Sequence, residues 1–175
     1  MYFENYSKNF QKIIEKLDFK KIEMIKKIIQ SKKKNKIHVF GNGAGASIAS
    51  HFANDLTNSA KFKVYSYDNS AQITCLANDY NYSNWVKKII DYYVEKNDLI
   101  IFLSASGESQ NMIQAAKLCL KKKYKFISIT GFNEKNRLNS LSNYFCWVDS
   151  KSYNHVELAQ LFILLSIVDS LNKKK

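Results

Sequence analysis

Three serines and one glycine fall within six residues at Ser104-Ala105-Ser106-Gly107-Glu108-Ser109. The segment follows the apolar run Leu99-Ile100-Ile101-Phe102-Leu103 and precedes a helical pattern that starts near Asn111. A strand, a hydroxyl-rich turn and a helix N-terminus are therefore expected in that order. Helix N-termini expose unpaired N–H groups at the positive end of the dipole, so they attract anions. Serine hydroxyls gathered there can surround a phosphate without any formal positive charge. Ser109 also suits the N-cap of the following helix, a role compatible with phosphate binding. Glu108 reads as a solvated loop residue. A second turn, Gly41-Asn42-Gly43-Ala44-Gly45, follows the apolar strand Ile37-His38-Val39-Phe40. Its glycines allow a ligand close to the backbone, although a plain strand-to-helix turn would need them too. The spacing lacks the third glycine of a dinucleotide fingerprint, so no dinucleotide is expected. His51 and Asp55 are four residues apart, which puts them on one helix face, suited to proton transfer or to a metal. His51 could equally be a hydrogen-bonded, partly buried histidine, and His155 a polar residue ahead of the last helix.

These residues need a frame. Phe10, Ile13, Ile14 and Leu17 share one helix face, as do Ile22, Ile25, Ile28 and Ile29, so the chain opens with two helices. Strands are expected at 37–40, 64–66, 99–103, 126–130 and 144–148. Helices are expected at about 46–58, 70–78, 84–95, 110–122 and 136–141, with a long apolar helix at 156–171. Alternating strands and helices imply a parallel sheet covered on both faces: an α/β, three-layer αβα sandwich with five strands. Both candidate turns then fall at the carboxyl ends of strands, where open α/β sheets bind ligands. The 156–171 segment carries more than one apolar stripe. It is expected to be buried all round, in part against another copy of the chain.

The 175 residues fit one domain with a good-sized core and show no repeats or linker. No apolar run approaches the ~20 residues of a membrane span, and the N-terminus lacks a signal-peptide pattern, so no membrane partner and a cytoplasmic location are expected. Cys75, Cys119 and Cys146 form no CxxC pair and read as reduced, largely buried thiols. The formal charge of +12 invites a nucleic-acid reading, but only one of the 27 basic residues, Arg137, is an arginine. With no proline and many Asn, Ile, Tyr and Phe, the lysines fit the codon usage of an AT-rich genome, and nucleic-acid binding is not expected. The lysine runs 32–34, 121–123 and 173–175 read as solvated element ends or tails.

GNGAGASIASHF, then LSASGES, then TGF, behind two leading helices, resemble the SIS (sugar isomerase) domain family, closest to its phosphoheptose isomerase branch. The resemblance covers essentially the whole chain and implies one SIS domain over 1–175. It implies phosphate contacts from Ser104, Ser106 and Ser109, helped by the amides of Ala105 and Gly107. It implies contacts of Asn42 and Gly43 with the sugar-phosphate chain, sugar hydroxyls beside Asn78 and Asp79, and Thr130 behind the last strand-end turn. From the residues alone, Asn78-Asp79 could be a helix-terminating turn. Gly45 stands where the branch usually has serine. The branch's metal set matches only in part: His51 is present and Glu157 matches on the last helix, Asp55 stands where Glu is common, and Val156 and Leu164 replace the expected Gln and His. Three or four ligands are needed for zinc, so no cofactor is expected.

The implied chemistry is aldose–ketose isomerisation of a phosphorylated ketose such as sedoheptulose 7-phosphate, which would feed heptose or related sugars to surface polysaccharides. The alternative is a phosphosugar-binding protein without catalysis. An enediol path needs a base and a carbonyl-polarising group. Glu157, expected at the start of the last helix, is the first candidate base. Asp55 is the second, and His51 and His155 are candidates for ring opening or carbonyl polarisation. A homotetramer or homodimer is implied, with sites at subunit interfaces.

Overall fold

The computed structural model describes residues 1–172; the lysine run 173–175, expected as a tail, lies outside the described residues. The chain opens with α1 (Tyr2–Glu15) and α2 (Phe19–Ser31). Five strands follow with their intervening helices: β1 (Lys36–Gly41), α3 (Ala44–Ala60), β2 (Lys63–Ser66), α4 (Ser70–Tyr80), α5 (Trp85–Tyr93), β3 (Leu99–Ser104), α6 (Gln110–Lys122), β4 (Lys125–Thr130), α7 (Arg137–Leu141) and β5 (Tyr144–Trp147). α8 (Tyr153–Leu171) closes the described chain. The strands form one parallel sheet in the order β2-β1-β3-β4-β5. This is the five-stranded αβα sandwich that the sequence predicts.

Alternate residues of each central strand serve opposite layers. Ile37, Val39, Ile101 and Ile127 meet Ile25, Ile29, Phe52, Leu56, Ile163 and Leu164 from α2, α3 and α8. Phe40, Ile100, Phe102 and Phe126 meet Trp85, Ile89, Ile90, Met112, Ala115 and Leu138 from α5, α6 and α7. β2 is less apolar because it is an edge strand, with Lys63 and Tyr65 exposed.

The structure revises the last helix. It begins three residues earlier than the apolar run suggests, because the Ser152 side chain accepts a hydrogen bond from the His155 backbone N–H and caps it. Glu157 is thus the fifth helical residue, past the first turn, where the dipole has faded. His155 lies inside the helix, its ring 4.3 Å from that of Tyr6. Within one chain α8 buries a single face. Val156, Ala159, Ile163, Leu164 and Ile167 face the core, while Leu158 and Phe162 remain about 40% exposed, at 41% and 40%. At 19 residues α8 reaches the length and composition of a membrane span by those two measures alone, and its core face packs against α3.

Cys119 and Cys146 are buried, and burial pushes both thiols up to about 12; Cys75 is exposed, unlike the expectation for it. His38 was not singled out by sequence. It is 1% exposed, with Nδ1 2.7 Å from the Tyr67 hydroxyl and Nε2 3.2 Å from Asp98 Oδ2. Burial lowers its pKa despite Asp98, so the ring is neutral. Asp98 also accepts the backbone N–H groups of Lys36 and Glu95, both at 2.9 Å. The cluster ties β1 to the start of β3, at the end of the sheet away from the two glycine turns.

Candidate functional site

α3 follows β1 onto one face of the sheet, and α6 follows its neighbour β3 onto the other. The carboxyl ends of these two strands therefore diverge into a crevice, as at any switch point of an open parallel sheet. A cavity of about 120 Å³ lies there, lined by Asn42, Gly45, Leu103 and the Ser104–Ser106 stretch, with Ser109, Tyr153, Glu157 and Gln160. A larger cavity of about 500 Å³ lies elsewhere, where Ala60, Phe62 and Leu171 line it. Only the smaller one gathers hydroxyls, backbone amides and a carboxylate beside a helix N-terminus, so the chemistry belongs there.

The serine loop is shaped by short-range bonds. The Gly107 N–H donates to both the carbonyl and the Oγ of Ser104, each at 3.2 Å, which closes the turn. Ser106 Oγ accepts the Glu108 N–H at 3.2 Å, and Ser104 Oγ donates to Ser109 Oγ at 3.4 Å. Gly107 has φ +69, and a Cβ there would sit 2.1 Å from the Asn136 side chain. Only glycine lets the loop press this close to α7. Ser109 is the N-cap of α6 without spending its side chain on a cap bond, which leaves its hydroxyl for a ligand.

Glu108 is not a free solvated residue. Its Oε1 accepts the Arg137 backbone N–H at 2.9 Å, and Oε2 meets the Arg137 Nε at 2.5 Å. The backbone N–H and the guanidinium hold its carboxyl below the ordinary value of 4.5. The chain's lone arginine thus clamps the serine loop from outside the cavity lining. We expect Arg137→Ala to weaken inorganic phosphate binding by about two- to fivefold, the range of an exposed ion pair. Because the clamp needs an ionised Glu108, the difference from wild type should persist at neutral pH. It should close as pH falls below the ordinary glutamate value, which calorimetric titrations at several pH values would read.

α8 supplies the opposite wall. Tyr153, Glu157 and Gln160 fall at i, i+4 and i+7, on one helix face. The stripe runs from the exposed Tyr153, packed on Phe132, through the half-buried Glu157 to Gln160, which is 1% exposed. Among the described residues Glu157 takes part in no hydrogen bond or ion pair, so its carboxylate is available to whatever enters. Among the described residues no lysine, arginine or histidine lines the cavity.

Of the residues expected from sequence, Asn42, Ser104, Ala105, Ser106, Ser109 and Glu157 share this cavity, and Gly107 shapes it. Gly43 forms the N-cap of α3 with φ +55 and open space around it. Asn78 and Asp79 lie exposed in the last turn of α4, hydrogen bonded to each other at 3.1 Å and outside the cavity. Thr130 is buried, its hydroxyl donating to Asn139 and accepting from Asn136, so it braces α7 instead of lining the cavity. His51 and Asp55 form a surface pair, 3.0 Å apart and 54% and 45% exposed, also outside it. Val156 and Leu164 are fully buried. Among the described residues no three His, Cys, Asp or Glu side chains group closely enough for a metal.

Sequence reasoning missed four residues here. Asn111, 1% exposed in the first turn of α6, exchanges two hydrogen bonds with Asn42 at 3.0 and 2.8 Å. The Tyr82 hydroxyl donates to the same Asn42 Oδ1 at 3.2 Å. These contacts cross between elements that no local pattern links. Tyr153 and Gln160 carried a legible signal, a polar stripe with Glu157 through an otherwise apolar helix.

The SIS domain family model matches residues 1–131. The phosphoheptose isomerase of Buchnera aphidicola subsp. Acyrthosiphon pisum (strain Tuc7) is 29% identical over 179 residues, covering 93% of this chain and 91% of that protein. A phosphoheptose isomerase from Francisella tularensis superposes with a TM-score of 0.87 at 22% identity, over 99% of this chain and 95% of the other. The Vibrio vulnificus NanR protein complexed with ManNAc-6P superposes with a TM-score of 0.68 at 20% identity, over 93% of this chain and 57% of the other. With the serine loop at the switch point of the same sheet, these matches agree: the chain belongs to the SIS domain family, in its phosphoheptose isomerase-like branch.

Proposed function

We propose that this protein is a sugar-phosphate isomerase that interconverts an aldose and a ketose, with sedoheptulose 7-phosphate as the first substrate to test. The observation that carries this reading is the cavity itself: a phosphate-sized nest of serines and amides facing a free carboxylate. The phosphate sits against Ser104, Ser106 and Ser109 at the N-terminus of α6. The sugar extends along the α8 stripe, whose seven-residue rise of about 10 Å suits several carbons attached to a phosphate. Glu157 removes the proton from the hydroxyl-bearing carbon next to the carbonyl while the carbonyl oxygen takes a proton from water, which gives the enediol; protonated Glu157 then returns its proton to the former carbonyl carbon as the other enediol oxygen releases its own proton to water and becomes the new carbonyl. His51 and Asp55 stand outside the cavity of a single chain, so Glu157 is the base favoured by geometry. The reaction is proposed to need no cofactor. The name and coverage of the Buchnera relative support the substrate class.

The whole chain is proposed to act as one domain in the cytoplasm, as a homodimer or homotetramer. Phe10 of α1 joins Leu158, Leu161, Phe162 and Leu165 of α8 in an apolar surface that supports association. Light scattering at micromolar concentration should give a mass of at least two chains; a monomer would remove this part.

A second reading, a phosphosugar binder without catalysis, rests on the buried Val156 and Leu164 and on NanR, solved with ManNAc-6P. Proton NMR of sedoheptulose 7-phosphate in D2O with the protein separates the two. Loss of the signal for the hydrogen next to the carbonyl, or a new aldose signal, establishes isomerisation. Line broadening without exchange across a panel of sugar phosphates establishes the binder.

A further inference from the structure

Gln160 is the one polar residue of α8 that is both buried and part of the cavity lining. Its Nε2 donates to the Ile129 carbonyl of β4 at 2.7 Å. That bond fixes the amide, because a flipped amide would set two oxygens against each other. The polar atom left to the cavity is Oε1, an acceptor with no partner of its own. Half-buried Glu157, one turn earlier, presents two more acceptor oxygens and a negative charge. Beyond the exposed Tyr153, the inner part of the α8 wall therefore offers acceptors, Gln160 Oε1 and the Glu157 carboxylate, while the serine hydroxyls and loop amides on the opposite wall supply donors.

Resting on the phosphate-ester reading above, we infer that Gln160 is a specificity-determining residue that accepts a hydrogen bond from a ligand hydroxyl. With Glu157 beside it, the site takes polyhydroxylated phosphate esters and rejects phosphorylated sugar acids. A ligand hydroxyl satisfies Oε1 and costs nothing beside Glu157. A ligand carboxylate would leave Oε1 unpaired and place a second anion beside Glu157, with no cationic side chain among the described lining residues to compensate.

Glycerol 3-phosphate and 3-phosphoglycerate test this directly, since they differ only in a hydroxymethyl group against a carboxylate. Calorimetric titration of the wild-type protein at pH 7.5 should show glycerol 3-phosphate binding at least about tenfold more tightly. Gln160→Met should lower the affinity for glycerol 3-phosphate by about tenfold while inorganic phosphate binding stays within about twofold. A purely structural role would weaken both ligands by the same factor, and that result overturns the inference. So does equal binding of the two esters by the wild type, a comparison that needs no variant to fold. The isomerase reading fails separately: ester discrimination without proton exchange in D2O keeps the inference and removes the isomerase.

Discussion

Glu157→Gln should abolish turnover while leaving phosphosugar affinity intact. The substitution keeps the shape of a side chain that lines the cavity and has no protein partner, so nothing in the fold depends on its charge. It removes only the capacity to accept a proton. General bases contribute about 10²- to 10⁴-fold, and kcat should fall by that factor. The serine loop is untouched, so Kd should stay level or tighten slightly as a negative charge leaves the wall opposite the phosphate. Exchange into D2O should stop in parallel, because both readouts share the proton-abstraction step. Asp55→Asn is the matched control, changing an exposed carboxylate paired with His51. If Glu157→Gln retained turnover and Asp55→Asn lost it, the base would move to α3. The surface pair would then require a ligand path that the single chain does not form.

Gly41→Ala should be the most damaging single-methyl change to stability near the site. A Cβ at Gly41 would stand 2.2 Å from the Gly45 carbonyl carbon, 2.3 Å from its oxygen and 2.7 Å from the Ala46 nitrogen. All three are backbone atoms, so no rotamer change relieves the overlap; the first turn of α3 must move off β1. Overpacking of this kind costs about 3 kcal/mol. At this chain length that lowers Tm by about 6–12 °C, readable by calorimetry. Phosphate binding should fall with it, because Asn42 and Gly45 line the cavity from the same turn. Gly45→Ala is the control. Its Cβ would meet Leu103 at 3.5 Å or more, ordinary van der Waals contact, and α3 would gain a better helix former. A normal Tm for Gly41→Ala would mean that α3 is far less tightly seated than this packing requires.

Local chemistry accounts for what the sequence shows plainly. The strands are short apolar runs between turn residues, so sheet, layers and crossover order follow from periodicity. Ser104, Ser106, Gly107 and Ser109 are adjacent in sequence, so one turn assembles them and they could be named together. Boundaries were harder. The start of α8 depended on Ser152, a polar cap outside the apolar run, and moving it changed the setting of Glu157 and His155.

The sheet, the position of both turns at its carboxyl edge and the serine loop are each encoded within a few neighbouring residues and can be read without coordinates. Which distant side chains share that loop follows from the packing of the helices. It brought Glu157 and Gln160 from α8 to the serines and locked Asn42 to Asn111 and Tyr82. It left Asn78, Asp79, His51 and Asp55 on the surface and buried Thr130 under the loop. The reason is geometric: i, i+4 spacing places two residues on one helix face, but which face meets the cavity depends on how that helix docks. Docking is set by burial of the whole apolar surface, a sum over residues far apart in the chain.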